Sequence, residues 1–350
     1  MSSTSNSLNN INPEASPSAF PILRGREEEC LRLRRLAQDE AWHALLISGP
    51  RGSGKQSLAE YLAKSLLCLD PKEGEACSVC PSCRYFSAGT HPDYRALQDE
   101  QGLIRVDRLR REVLSDLSAL PQISHRKIYF IAAGSLNEQG QNVLLKSLEE
   151  PPEGVRFLLT AEREDQLLPT LLSRVIRLGL PPLSDADIRQ ILMDRGYGEG
   201  LDHFVAFAMG IPGKALELAE REDFPELRQL AFRALSSAAE SSLTALAEGE
   251  LSELLQHKED FEMILRLCQS FLRDLALMSL CPEQEEGLQN PDYAEAEKKL
   301  AGLLRGRKIE SKAFQEAENT LIQLQRGLEV NVNMELAAWH FLLAFHELFA

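Results

Sequence analysis

Residues 49–57 read GPRGSGKQS, and the fold turns on whether this is a phosphate-binding loop. Gly49, Gly52, Gly54 and Lys55 stand where such a loop needs them. Backbone N–H groups and a helix N-terminus surround the anion, and the lysine adds charge. Before the loop, HALLIS (43–48) is a short apolar run with the look of a buried strand. After it, KQSLAEYLAKSLLC (55–68) puts Leu58, Tyr61, Leu62 and Leu66 on one helical face. Strand, glycine loop and helix in that order make the loop credible.

The same stretch departs from a hydrolytic loop. After Lys55 an ATPase carries Ser or Thr, whose hydroxyl helps hold Mg2+; here the residue is Gln56. Ser57 is no substitute, because one step along a helix turns the side chain by about 100°. Such an enzyme also needs an acid at the end of a buried strand to organise the metal and the attacking water. The run after Lys127 reads IYFIAAGSLN, with no carboxylate between His125 and Asn137, and Glu138 lies too far beyond the strand end. Two independent parts of the apparatus are missing, so ATP turnover is not expected. Binding of ATP or ADP without turnover stays open.

Cys68, Cys77, Cys80 and Cys83 form C-x8-C-x2-C-x2-C. Close spacing lets two thiolates reach one ion, and four fill a tetrahedral zinc shell with no position left for water, so the zinc expected here is structural. Cys30, Cys268 and Cys281 lie elsewhere and read as packing residues.

Around these motifs the chain is ordinary: 350 residues, 44% hydrophobic and 26% charged. Its formal net charge of −15 repels nucleic acid and anionic membrane, so any DNA contact must come from a local patch or from partners. No segment reaches the roughly 18 apolar residues of a membrane span; the C-terminal LAAWHFLLAFHELF is interrupted by His340, His346 and Glu347. Residues 1–20, rich in Ser and Asn, read as a disordered tail without signal-peptide features, which makes a cytoplasmic location the expectation.

REEECLRLRRLAQDE and IRVDRLRREVLSDLSAL have helical spacing, and QGQNVLLKSLEEPP is helical until its prolines stop it. KIYFIAA, VRFLLTA and VIRLGL join HALLIS as strands. Strands alternating with helices predict a mainly parallel sheet covered on both faces. From Pro181 onward every segment reads as helix. The expected domains are 21–182, with the cysteine module at 68–83, then 183–223 and 224–350. The stripe Phe261, Ile264, Leu265, Cys268, Phe271, Leu272, Leu275 reads as core, and Arg105, Arg108, Arg110 and Arg111 as solvated helix surface.

A cysteine cluster after a phosphate-loop helix, then GTHPDY (89–94), LLKSLEEPP (144–152) and LPTLLSR (168–174), resembles the gamma/tau and delta-prime subunits of the bacterial DNA polymerase III clamp loader. The likeness runs from about Leu23 to the C-terminus and is weakest after residue 225. Eroded sites fit the delta-prime type, since gamma/tau subunits are the ATPases. The resemblance implies α/β plus all-α architecture: a RecA-like AAA+ domain with a zinc insertion, a helical lid (183–223) and a helical collar (224–350) that holds a ring.

It also implies roles. Ser173 and Arg174 match the Ser-Arg of the family's SRC motif, with Val175 in place of Cys, and that arginine reaches across a subunit boundary to ATP on a neighbour. Lys214, in GIPGKALELA, stands at the lid's basic sensor position; with the loop eroded it is expected to cap or pair. NVNMELAAWHFLLAF (331–345) matches the closing helix, with Asn333 as its cap. Implied partners are gamma/tau and delta, with the sliding clamp and primed DNA reached through the complex. Two alternatives stay open: a gamma-like ATPase with unusual metal ligands, and a zinc-bearing AAA+-derived adaptor outside replication.

Overall fold

Five strands make one sheet: β1 (Ala44–Ser48), β2 (Tyr94–Leu97), β3 (Lys127–Ile131), β4 (Val155–Ala161) and β5 (Ile176–Gly179). Their order is β2-β3-β4-β1-β5, every pair is parallel, and the register runs Leu46 to Leu159 and Ser48 to Gly179. The structure is a computed structural model, and it describes residues 24–98, 103–198, 200–281, 287–306, 311–328 and 333–349. The tail expected at 1–20 lies outside them.

β1, β3 and β4 are buried at every position, which requires cover on both faces. Because side chains alternate along a strand, neighbours in sequence feed different cores. Leu45 and Ile47 pack with Leu58, Leu62, Phe130 and Leu158, whereas Ala44 and Leu46 pack with Tyr129, Phe157, Leu144 and Leu148. The helices supplying that cover are α1 (Glu27–Gln38), α2 (Lys55–Leu67), α3 (Pro81–Ser87), α4 (Val106–Glu112), α5 (Glu138–Glu149) and α6 (Pro169–Leu172).

Two details differ from the sequence reading. β2 was not among the four expected strands. It is an edge strand with Arg95 and Ala96 exposed, so it carries neither a continuous apolar run nor a clean alternation. The helix expected across IRVDRLRREVLSDLSAL is shorter: α4 ends at Glu112 and a 3-10 turn follows at Leu114–Asp116. Its arginines are held by local partners: Arg108 by Glu112 and Gln98 O, Arg110 by Asp107, and Arg111 by Glu112.

The chain divides into two compact units, Met1–Asp187 with Ile211–Gly213, and Ile188–Gly210 with Lys214–Ala350. Among the described residues every element after β5 is helical, in line with the α/β plus all-α expectation: α7 (Asp185–Asp194), α8 (Asp202–Ala208), α9 (Pro212–Ala219), α10 (Phe224–Glu240), α11 (Leu243–Glu248), α12 (Glu250–Gln256), α13 (Phe261–Leu280), α14 (Ala294–Gly306), α15 (Ser311–Leu328) and α16 (Met334–Phe349). The core of the second unit holds the whole predicted α13 stripe together with Phe224, Phe341 and Phe345.

Candidate functional site

All strands point the same way, so their carboxyl ends share one edge, where open α/β sheets bind ligands. The loop 49–54 joins β1 to α2 there. Gly52 and Gly54 sit at φ +81° and +92°, a region that residues with a Cβ rarely enter. The loop's carbonyls are already engaged. Lys55 Nζ donates to Pro50 O at 3.1 Å. The buried Arg26 donates to Ser53 O at 3.2 Å and to Pro181 O at 2.7 Å. Gly213 N–H donates to Gly52 O at 2.9 Å. Burial lowers the pKa of Lys55; the Glu162 carboxylate opposes that fall and Arg51 adds to it.

The two expected gaps in the metal-holding set are visible here. Gln56 turns along its own helix, Nε2 donating to Glu60 Oε1 at 2.9 Å, and Ser57 is exposed. β3 runs out into Ala132, Ala133 and Gly134, none of which carries a carboxylate. Sequence reasoning missed Arg26, Glu162 and Glu164, because no spacing marks them. Both acids follow β4 rather than β3. Glu164 accepts from Ser48 Oγ at 3.3 Å and pairs with Arg177 at 3.2 Å.

Arg174 lies at the other edge of the sheet. It follows α6 and its C-cap Ser173, and it precedes β5, whose Ile176 pairs with Leu45 and whose Gly179 pairs with Ser48. From Ile176 to Gly179 the strand rises over three steps, roughly 10 Å, to the level of the phosphate loop, and Arg174 lies in the turn before Ile176. An arginine side chain cannot cross that span to its own loop. The guanidinium is 33% exposed and is held by Glu149, Thr170 O and Ser173 Oγ.

Between α2 and α3 the four cysteine sulfurs lie within 4.8 Å of one another. The Cys68 sulfur is 3.5 Å from that of Cys77 and 3.9 Å from that of Cys80. Metal–sulfur arms of about 2.3 Å at tetrahedral angles put sulfurs roughly 3.8 Å apart, so the set fits a metal ion. Backbone N–H groups of Cys77, Cys80 and Cys83 donate to the sulfurs of Cys68, Cys77 and Cys80, which favours thiolates. Burial pushes the Cys68 and Cys83 thiols up. Burial also opposes ionisation of Cys77, yet the N–H groups of Val79 and Cys80 bring it down to about 7.

Of the remaining cysteines, Cys30 and Cys268 are buried as expected. Cys281 corrects the packing assignment: it is the C-cap of α13, its N–H donating to Leu277 O, and it is exposed. In the second unit Lys214 lines an open cleft of ≈ 790 Å³ between α8, α9, α13 and α15, with Arg266, Glu217 and Glu262 beside it. Burial lowers the Lys214 pKa and Arg266 adds to the fall. Asn333 caps α16, its Oδ1 accepting from Leu336 N–H at 3.2 Å. No described helix is long and apolar enough to cross a membrane.

Residues 29–184 match a protein family described as DNA polymerase III, delta subunit. The DNA polymerase III subunit delta' of Pseudomonas aeruginosa is 37% identical over 183 residues, which is 50% of this chain and 55% of that protein. The delta' subunit of Escherichia coli is 33% identical over 207 residues, 57% of this chain and 60% of its own length. The tau/gamma subunit of Haemophilus influenzae is 28% identical over 292 residues, covering 77% of this chain and 42% of that one. The matched stretch is thus well short of the delta' relatives' full length. The match to the family lies in the unit that holds the phosphate loop, the cysteine cluster and Arg174. Through that unit the chain is similar to the delta' and tau/gamma subunits of DNA polymerase III.

Proposed function

We propose that this chain is a delta-prime-type subunit that hydrolyses no ATP itself and lends Arg174 to ATP bound by a neighbouring subunit. One observation carries the reading. Arg174 is partly exposed at the sheet edge opposite its own phosphate loop, so a triphosphate it serves belongs to another chain. A guanidinium delivered in trans neutralises charge on the transferring phosphoryl group and is worth about 10³–10⁵ in rate. Ser173, bonded to it, completes the motif.

The phosphate loop then has a structural task, joining the central strand to its helix, and Gly49, Gly52, Gly54 and Lys55 serve it without nucleotide turnover. Arg26, Gly213 and Lys55 spend their donors on the loop's own carbonyls. Cys68, Cys77, Cys80 and Cys83 would hold structural Zn2+. Residues 183–223 would be the lid and 224–350 the collar, with Lys214 lining a cleft beside Glu217 and Glu262 rather than sensing phosphate. The partners are gamma/tau and delta subunits, and through them the sliding clamp and primed DNA, in the cytoplasm.

The test is a reconstituted loader carrying Arg174→Ala. Assembly is retained and clamp-dependent ATP turnover falls by about 10³ or more; unchanged turnover overturns the assignment. DNA-stimulated turnover by this chain alone would establish a gamma-like ATPase, a reading that Glu162 beside Lys55 keeps specific. Failure to join gamma/tau and delta in a pull-down would make it an adaptor outside replication.

A further inference from the structure

Two motifs that the sequence keeps apart, LLKSLEEPP and LPTLLSR, meet at one ion pair: Glu149 Oε1 lies 2.6 Å from Arg174 Nη2. The other terminal nitrogen, Nη1, donates to Thr170 O at 2.6 Å and to Ser173 Oγ at 3.1 Å. Ser173 Oγ in turn donates to Thr170 O at 3.0 Å. Both ends of the guanidinium are therefore fixed.

Stability alone gives little reason for that carboxylate. Glu149 is the last residue of α5, where an acid faces the negative end of the helix dipole at a cost of about 0.3–1 kcal/mol. The pair's side chains are 33% and 48% exposed, and such pairs contribute about 0–1 kcal/mol. A local rule broken without a clear gain in stability points to function.

We propose that Glu149 is a positioning residue for Arg174, holding the guanidinium in the pose from which it meets a neighbour's triphosphate; this rests on the trans-arginine reading above. A free arginine carries about 2 kcal/mol of rotamer entropy, which engagement across a subunit boundary would forfeit. Anchoring by Glu149, Thr170 O and Ser173 Oγ removes most of that loss before the subunits meet. Glu149 acts from behind, through the arginine, and touches no substrate.

The experiment measures ATP turnover by the reconstituted loader with clamp and primed DNA, comparing E149A, E149Q, E149D, R174A and the E149A/R174A double variant. E149A and E149Q are expected to lower kcat roughly tenfold to hundredfold, the range that misplacing a reacting group costs, with little change in the KM for ATP. E149D recovers part of the loss. In the R174A background E149A costs nothing further, because its effect runs through the arginine.

Wild-type turnover by E149A and E149Q beside a crippled R174A overturns the proposal. So does faster turnover, which would make Glu149 a restraint. An equal additional loss in the R174A background would mean a purely structural role and also overturns it. Should E149A fail to assemble, the isosteric E149Q decides. If R174A itself turns over normally, the trans-arginine reading has failed instead.

Discussion

His91 Nε2 lies 2.7 Å from Ser82 Oγ, and that hydroxyl donates to Leu67 O at 2.6 Å. On the other side of the ring, Nδ1 accepts from Asp93 N–H at 3.0 Å, which assigns the proton to Nε2. A buried imidazole thus ties the cysteine module to the end of α2 and to the start of β2. The Asp93 carboxylate continues the chain, accepting from the N–H groups of Gln122, Ile123 and Ser124 at 2.6–2.8 Å. The stretch GTHPDY is the joint between cysteine module and sheet.

His91→Ala should therefore destabilise the first unit by about 1–3 kcal/mol, since it strands the buried Asp93 N–H and leaves Ser82 Oγ without the N–H it accepts. Burial lowers the His91 pKa against the pull of Asp93. The neutral ring is the one the fold uses, so its contribution is present above the ordinary value of 6.5 and is lost as pH falls through the depressed folded value. Chemical denaturation between pH 5 and pH 8 checks this. The pH dependence below 6.5 should shrink in His91→Ala.

Removing the metal should open the module first. Metal analysis of purified protein is expected to find one ion per chain held by Cys68, Cys77, Cys80 and Cys83. A chelator should free four thiols to a thiol reagent while the sheet persists. Cys80→Ser should abolish metal retention. Cys281, which is exposed, labels in either case; labelling of Cys68, Cys77, Cys80 and Cys83 without chelator would refute the assignment.

Gly213 is held to the phosphate loop too closely for a side chain. A Cβ there would stand 2.6 Å from Gly52 Cα and 2.9 Å from Gly52 O, against backbone that cannot swing away. Gly213→Ala should cost about 1–3 kcal/mol of stability, measured by denaturant midpoint, and should raise hydrogen exchange at residues 51–55. Gly302→Ala, in the interior of α14 with nothing within 4 Å of the added Cβ, is the control: it should raise the midpoint slightly, by about 0.5–1 kcal/mol of stability, and leave exchange in the loop unchanged.

Glu297 is 1% exposed and both its carboxylate oxygens lack a hydrogen-bond partner. Burial, with Asp274 and Asp292 nearby, raises its pKa to about 9. The unfolded chain sheds this proton near 4.5 while the folded chain keeps it, so the contribution is full below 4.5 and is lost as pH rises toward 9. The slope approaches about 1.4 kcal/mol per pH unit. Glu297→Gln should remove that slope and leave the protein more stable than wild type at pH 8, by thermal or urea unfolding. A lower midpoint at pH 8 would contradict the protonated assignment.

Much of this was legible in one dimension because the signals are local. A strand buried on both faces has to be apolar throughout, so HALLIS, KIYFIAA and VRFLLTA announced themselves; a glycine loop between strand and helix and four closely spaced cysteines need no long-range information. The absence of an acid after β3 and of a hydroxyl after Lys55 was equally plain. What stayed hidden depends on residues distant in the chain. β2 is a strand because β3 offers it an edge, not because YRAL is strongly β-forming. Arg26 reaches Ser53 and Pro181, Glu149 finds Arg174, and Arg228 finds Asp292 at 2.8 Å only after the elements pack. The sequence determined which chemical groups this protein owns and which it lacks. The tertiary structure decided their partners, because hydrogen bonds and ion pairs act over a few ångströms and only folding brings residues many positions apart within that reach.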